Sequence, residues 1–266
     1  MSIAVSLFFV TLAAAQAADD VPVSGDVGVE WVNAYFFRGV VYEDAGIILQ
    51  PYNDLSLRLF ARRGLVEGLR FNLGFWGSLN SLHPDAQYAP HPLNEVDVAP
   101  SLHLDLAGGW SSELRYTAFL SPNGSFEGSH ELLFALRREG EAGRLRWKEE
   151  LVLANPTYTT ASRYTYGGLG GRVTVELVAS GEWSTAVYLP LRAGFTLAGT
   201  EEAGQEGFHP RFGQAGLGIS EGRTGENGGF ELYAQVDGAY VVAPLREALG
   251  QEPWIPLTTV GWARWF

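Results

Sequence analysis

Apolar and polar residues alternate with a period of two along most of this chain, and this pattern constrains the fold more than any other feature. For example, the leucines at 102, 104 and 106 alternate with His103 and Asp105. Because successive side chains of a β-strand point to opposite faces, each such segment is expected to form a strand with one apolar and one polar face. There are about twelve segments of roughly ten residues or more, the length that lets a tilted strand cross a bilayer.

The connections between these segments alternate in length. Short turns are predicted near 63–64, 107–109, 139–143 and 179–182, with a somewhat longer one at 221–229, and longer links at 80–94, 121–129, 154–163, 198–209 and 244–255. The first loop, 41–46, is a short exception. Short turns at one end and longer loops at the other are typical of outer-membrane barrels. The sequence therefore predicts an all-β fold, a transmembrane antiparallel up-and-down barrel of about twelve strands. A soluble β-sandwich is the alternative, although its strands are usually about five or six residues long.

The N-terminus predicts export. An apolar run from Ile3 to Ala15 is followed by the small-x-small sequence Ala15-Gln16-Ala17, which is typical of a signal peptide cleaved after Ala17. The expected organisation is a signal peptide over 1–17 and a barrel domain over 18–266, located in the bacterial outer membrane. The run departs from the usual signal-peptide pattern because no Lys or Arg precedes it. A membrane anchor is the alternative, although the run is shorter than the ~20 residues of a spanning helix.

The C-terminus also indicates a barrel. The chain ends in Trp262-Ala263-Arg264-Trp265-Phe266, which resembles the final strand that the barrel-assembly machinery reads in outer-membrane proteins. We therefore expect the assembly machinery, through Phe266, and outer-membrane lipid as partners. Arg264 departs from the pattern, because a hydrophobic residue is usual at that parity.

Composition excludes several classes of function. The net charge of −12 argues against nucleic acid, whose phosphates require a basic surface. The absence of cysteine excludes a thiolate metal site. Ser129 and His130 are the only tempting catalytic pair, but neighbours on one strand point to opposite faces, so no enzyme is expected. His83, Asp85 and His91 share one loop, but ordinary loop polarity is the preferred explanation, and neither a metal nor any cofactor is predicted.

The run Asn33-Ala34-Tyr35-Phe36-Phe37-Arg38-Gly39-Val40, followed by Leu49-Gln50-Pro51, resembles the first hairpin of the TorF-like porins. Trp76-Gly77 with Asn80, and the segment 94–97, resemble the third and fourth strands of that family. The resemblance is local, covering roughly 31–136, and Val41-Tyr42 replaces the polar Ser-Gln pair often found there. It implies a small Gram-negative outer-membrane barrel with an unproven role in transport, and it supplies no catalytic residues.

Charged residues on the polar parity are expected to face the lumen, because an Arg or Lys facing lipid costs about 2–4 kcal/mol at the bilayer midplane. The predicted lumen-lining residues are Glu30, Arg38, Asp54, Arg58, Arg70, Asp97, Asp105, Glu113, Arg115, Glu131, Arg137, Arg144, Arg146, Lys148, Glu150, Arg172, Glu176 and Arg192. Arg38 is expected to pair with an inward acid such as Glu95 or Asp97, or to act only as a structural strut. The predicted outward aromatic girdles comprise Trp31, Tyr35, Phe75, Trp110, Tyr116, Trp147, Trp183 and Trp262.

These features predict a porin-like channel for passive diffusion of small hydrophilic solutes or ions, because a barrel of this size falls between filled and openly conducting barrels. The alternatives are a closed structural barrel that docks a periplasmic partner and, less favoured, a lipid-modifying enzyme. Acidic loop residues are expected to enrich cations at the mouth of the channel; they are Glu43, Asp44, Glu201, Glu202, Glu206, Glu247 and Glu252.

Overall fold

The structure, a computed structural model, describes residues 23–61, 64–81, 92–158, 163–200, 207–225 and 228–266. The expected signal peptide and the loop residues His83, Asp85 and His91 lie outside these ranges. The strands are β1 (Val23–Val32), β2 (Tyr35–Phe37), β3 (Val40–Glu43), β4 (Ile48–Ala61), β5 (Val66–Asn80), β6 (Leu93–Leu106), β7 (Trp110–Leu120), β8 (Ser129–Ala142), β9 (Leu145–Tyr158), β10 (Arg163–Ser180), β11 (Trp183–Thr200), β12 (His209–Gly225), β13 (Gly228–Val241) and β14 (Trp254–Trp265). One helix, α1 (Ala243–Leu249), lies between β13 and β14.

Twelve of these strands, β1 and β4 to β14, form a closed antiparallel barrel, which confirms the predicted fold class. Closure occurs at β1, which pairs with β14 on one side and with β4 on the other. The first and last barrel strands are joined there down to the final residue, since Gly25 and Phe266 exchange two backbone hydrogen bonds of 3.1 and 3.0 Å. A closed barrel leaves no strand edge with unpaired backbone groups.

The two-residue alternation places apolar side chains on the outside of the barrel. Leu102, Leu217 and Val236 remain 46%, 59% and 60% exposed, although each lies in the middle part of its strand. Their neighbours on the opposite parity face the lumen. Since a soluble fold would bury such side chains, their exposure on a closed barrel indicates a surface that contacts hydrocarbon.

The connections follow the alternation read from the sequence. Short turns join β4 to β5, β6 to β7, β8 to β9, β10 to β11 and β12 to β13, and the β6–β7 turn is a single 3-10 turn over Ala107–Gly109. We call this the short-turn end of the barrel and the opposite end the long-loop end. No helix in the described part of the chain is long and apolar enough to cross a membrane.

The first connection differs from the prediction. The sequence predicts one strand running through Tyr35 and Phe37, with Tyr35 in an outward girdle; that prediction is wrong, because Tyr35 is only 8% exposed and belongs to a separate hairpin, β2–β3, inside the lumen. Asn33 explains the break: its side chain donates to the carbonyl of Pro256 at 2.9 Å and accepts from the backbone N–H of Thr258 at 2.6 Å. The asparagine thereby takes the β14 backbone groups that another residue of β1 would have paired.

Five of the other predicted girdle residues lie on the outer surface, as expected. Trp31, Trp110, Tyr116, Trp183 and Trp262 are between 37% and 45% exposed on the outer surface. Amphipathic rings of this kind favour the interface between lipid and water.

Candidate functional site: the barrel lumen

The β2–β3 hairpin fills the lumen at the long-loop end. Its two central residues, Arg38 and Gly39, have φ values of 54° and 92°, as in a two-residue type I′ turn. Gly39 is required by packing as well as by backbone, because a Cβ there would lie 3.0 Å from Leu245 and 3.3 Å from Phe212. We call this hairpin, residues 35–43, the plug.

The tip of the plug is anchored to the barrel wall by a buried ion pair. The Arg38 guanidinium donates to both carboxylate oxygens of Glu131 on β8, at 2.5 and 2.7 Å. The two side chains are 13% and 6% exposed. The guanidinium also lies over the rings of Phe37 and Tyr166, at 4.6 and 4.4 Å from the centroids. Burial lowers the pKa of Arg38, but the hydrogen bonds and charge of Glu131 outweigh it, so the pKa is raised and the arginine stays charged.

The base of the plug is held by polar contacts. The Glu43 carboxylate accepts hydrogen bonds from Ser78 at 3.2 Å and from the side-chain amide of Asn94. Tyr35 packs against Trp76 with ring centroids 5.1 Å apart. Burial, together with the nearby charge of Glu95, raises the pKa of the Tyr35 phenol well above its usual value, so the phenol stays protonated.

The other face of the plug packs against an apolar lid. Leu245 of α1 is fully buried and forms a cluster with Ala34, Ala239, Val241 and Ile255, which also receives plug residues. Arg211 of β12 is fully buried as well, and its Nε donates to the Arg38 carbonyl at 2.9 Å. The plug is therefore fixed on one side by charge and on the other by apolar contact.

All twelve barrel strands contribute to a filled layer at the level of the plug. Each has at least one lumen-facing residue in its long-loop half that is no more than 9% exposed. In strand order these residues are Val32, Ile48, Ser78, Glu95, Thr117, Glu131, Ala154, Tyr166, Thr196, Phe212, Ala239 and Ile255. The plug therefore narrows the lumen around its whole circumference.

The short-turn half of the lumen carries a network of ion pairs on the wall formed by β5 to β9. Glu113 receives Arg115 and Arg137, each at 2.7 Å, and Arg137 continues to Glu150 at 2.5 Å. On the neighbouring strands Arg70 pairs with Asp105 at 2.7 Å. On β8 and β9 Lys148 pairs with Glu139 at 3.1 Å. The expected balance of inward charges is thus used in part to join adjacent strands.

The opposite wall is built from tyrosines packed over glycines. Tyr188 faces Gly218 directly across the strand pair, and Tyr233 faces Gly261 in the same way. A Cβ on either glycine would come within 2.3 Å of the tyrosine ring. Gly–aromatic cross-strand pairs let a ring lie flat along the wall and cover backbone that glycine leaves bare. The hydroxyl of Tyr233 then donates to Glu30 at 2.6 Å.

The described residues enclose three large polar spaces in the lumen. A central chamber of about 710 Å³ lies against the plug, and two spaces of about 760 and 490 Å³ lie toward the short-turn end. Arg115 lines both the chamber and the 760 Å³ space, whereas Arg172, Tyr188 and Glu231 line both the chamber and the 490 Å³ space. The spaces therefore adjoin one another, and together they make up a polar interior that reaches the plug.

The structure distributes the predicted lumen-lining residues among these parts. The central chamber is lined by Glu30, Arg38, Asp54, Asp97, Arg115, Glu131, Arg172 and Arg192. The 760 Å³ space is lined by Arg58, Arg70, Asp105, Glu113, Arg115, Arg137, Lys148 and Glu150, and the 490 Å³ space by Arg146, Lys148 and Arg172.

The structure differs from the prediction for two lining residues, Arg144 and Glu176, and for the partner of Arg38. Arg144 lies in the β8–β9 turn and donates to the Leu177 carbonyl at 3.2 Å, so it joins two strands at the rim. Glu176 lies on the lumen parity of β10 but lines none of the three spaces, since it sits beside that same turn. Arg38 pairs with Glu131 instead of Glu95 or Asp97, because the plug turns its tip toward β8.

Several lumen residues were missed. Glu231 and Asp237 line the chamber and share the parity of Gln235, so their alternation with Leu232 and Val236 could have identified them. Arg211 had no such signal, because a register shift between β11 and β12 interrupts the alternation beside it.

His130, one member of the Ser129–His130 pair considered from the sequence, contacts an outward-facing residue. His130 lies beside Tyr116, with its Nδ1 2.5 Å from the tyrosine hydroxyl and the two rings stacked at 5.6 Å. Tyr116 is on the outer surface of the barrel.

A closed barrel with a mainly apolar exterior and a charged interior defines a membrane-spanning β-barrel, since its strand pairing closes on itself and most outward side chains are apolar. No protein-family profile and no curated protein sequence matches the chain. Among solved structures it is similar to an outer membrane channel from Pseudomonas putida (10% identity, TM-score 0.49, covering 95% of this chain and 98% of that one). It is also similar to the NanC porin (12%, 0.48, 90% and 98%) and to outer membrane phospholipase A from Escherichia coli (14%, 0.46, 90% and 91%). At these identities and scores the similarities lead to no conclusion about function.

Proposed function

We propose that this protein is an outer-membrane channel that lets small hydrophilic solutes cross by diffusion, with the β2–β3 plug as its constriction. The observation that carries the proposal is the polar interior, because a barrel with only a structural role has no need of adjoining polar spaces of about 490 to 760 Å³. The alternation of short turns and longer loops supports the outer membrane, with the short-turn end facing the periplasm.

The nature of the plug also favours a channel. The plug is a separate two-stranded hairpin that forms no strand pairing with the barrel, and its tip is held by the Arg38–Glu131 ion pair and by the hydrogen bond from Arg211 to the Arg38 carbonyl. An element joined in this way can leave the lumen while the twelve-stranded wall stays intact. The resemblance of its sequence to the TorF-like porins is consistent with this function, and we propose membership of that family on the same residues.

Planar-bilayer recording tests the proposal directly. Purified folded protein is expected to give discrete conductance steps. A variant without residues 34–46 is expected to give larger steps, and a short turn can replace that segment because Val32 and Ile48 are directly paired across β1 and β4. The absence of steps from the native protein would reject the channel.

A closed structural barrel is the second candidate, and the filled layer at the level of the plug is the observation that favours it. It predicts steps only from the variant without the plug. Fractionation of cells in sucrose gradients checks the location in either case.

A further inference from the structure

Two arginines of the central chamber differ from the others in having no carboxylate partner. In the ion pairs of the described residues, four inward arginines each have a carboxylate oxygen within 2.7 Å: Arg38, Arg70, Arg115 and Arg137. Within the same part of the chain, Arg172 and Arg192 make no ion pair. Arg172 instead lies 4.5 Å from the ring centroid of Tyr188.

The strand register places Arg172 and Arg192 on neighbouring strands of the same part of the wall, and both line the central chamber. Arg172 on β10 is directly opposite Pro190 of β11, and Arg192 is the next lumen-facing residue of β11. Arg192 in turn faces Gly170 on one side and Gln214 on the other. Gly170 has no side chain, and the side chain nearest to its Cβ position is that of Glu150, whose carboxylate is paired with Arg137. The patch therefore offers two guanidinium groups and the amide of Gln214.

This patch continues a cationic stripe that begins at the short-turn end. Arg146 and Lys148, on β9, line the 490 Å³ space together with Arg172, and Lys148 is directly opposite Arg172 in the register. Arg172 and Arg192 then line the central chamber. Four cations thus lie along one side of the lumen; Lys148 is paired with Glu139, and the 490 Å³ space is also lined by Glu139, Glu141 and Glu231.

We propose that Arg172 and Arg192 form a subsite for a small anion that carries a carboxylate or phosphate group and reaches the chamber from the short-turn end. Guanidinium groups bind both anions through paired N–H donors. As an account of what crosses the barrel the inference rests on the proposed channel; as a binding site it is tested without conduction.

The test is calorimetric titration of the detergent-solubilised barrel, in chloride buffer, with inorganic phosphate and separately with succinate. Binding of at least one probe is expected, and the arm that binds more tightly identifies the preferred group. The double variant Arg172→Gln/Arg192→Gln is expected to bind at least about tenfold more weakly, since each charge-assisted hydrogen bond contributes about a factor of ten. The control is Arg58→Gln, which removes another inward arginine, on β4, and is expected to leave the affinity unchanged.

Three results would overturn the inference: no binding of either probe by the native barrel, a smaller loss in the double variant, or an equal loss in the control. If the double variant does not fold, Arg172→Lys/Arg192→Lys decides the question. It keeps both charges but loses the paired donors, so binding must weaken severalfold. Binding without conductance would keep the subsite and reject the channel, whereas conductance without binding would do the reverse.

Discussion

Replacing Arg38 by methionine should release the plug from the lumen. The substitution removes the guanidinium and leaves the Glu131 carboxylate, which is 6% exposed, without its bidentate partner. Removing one member of a buried ion pair costs about 3–5 kcal/mol. At about 1.36 kcal/mol per factor of ten, the equilibrium between docked and undocked plug should shift by roughly two to nearly four powers of ten.

Cysteine labelling measures this equilibrium directly. The chain has no cysteine, so Val40→Cys, at a plug position that is 9% exposed, gives a single reporter. If labelling requires undocking, the rate with a water-soluble maleimide rises with the undocked fraction, by up to the factor calculated above. Arg38→Met in this background should therefore label much faster than the parent. The labelling rate of Arg38→Lys should lie between the two, because lysine keeps the charge but cannot donate two parallel hydrogen bonds to the carboxylate.

The matched control is Arg70→Met, which breaks another lumenal ion pair but one whose members are about a third exposed. Exposed pairs contribute about 1 kcal/mol or less, and this one does not touch the plug, so the labelling rate should stay at the parent value. Equal labelling in Arg38→Met and the parent would refute the role of the ion pair in holding the plug.

Two further predictions concern the barrel wall. Gly218→Val places a Cβ 2.1 Å from the Tyr188 ring and should destabilise the barrel by about 1–3 kcal/mol, measured by urea titration followed by gel mobility. Gly213→Ala, on the same strand, should have little effect, because a Cβ there has no atom within 4 Å. Equal unfolding midpoints for the two variants would contradict the packing argument. Deleting Phe266 removes its two backbone hydrogen bonds to Gly25 and also the residue that we propose the assembly machinery reads. The amount of this protein in the outer membrane should therefore fall sharply, and Phe266→Tyr should keep it near the native level. An unchanged amount after the deletion would refute this role.

The two-residue alternation and the structure assign different positions to the aromatic residues after β1. The sequence treats the segment 33–40 as the end of one long strand, because its aromatic residues continue the alternation of β1. In the structure the same residues form the plug, and their aromatic rings contact the inside of the barrel, as Phe36 does with Phe212 at 5.3 Å. Alternation alone cannot distinguish an outward ring that meets lipid from an inward ring that meets other rings.

The structure also changes the expectation that acidic loop residues enrich cations at the mouth of the channel. Glu43 was expected at an exposed mouth, but it is 9% exposed and holds the base of the plug. The residues 201–206 lie outside the described part of the chain, so cation enrichment by the loops stays a prediction. The cationic stripe on β9 to β11 makes measurement of ion selectivity the informative experiment for both ideas.

The sequence by itself determined the closed barrel, its strand number and the parity of most lumen residues. These follow from a local rule, since a two-residue period in strands long enough to span a bilayer requires one face for lipid and one for the interior. The tertiary structure alone decided that Arg38 pairs with Glu131, 93 residues away, and that Arg172 and Arg192 have no ion-pair partner among the described residues. Such pairings depend on how strands distant in the chain meet across the lumen and on an inward fold of one loop, and no local pattern encodes either.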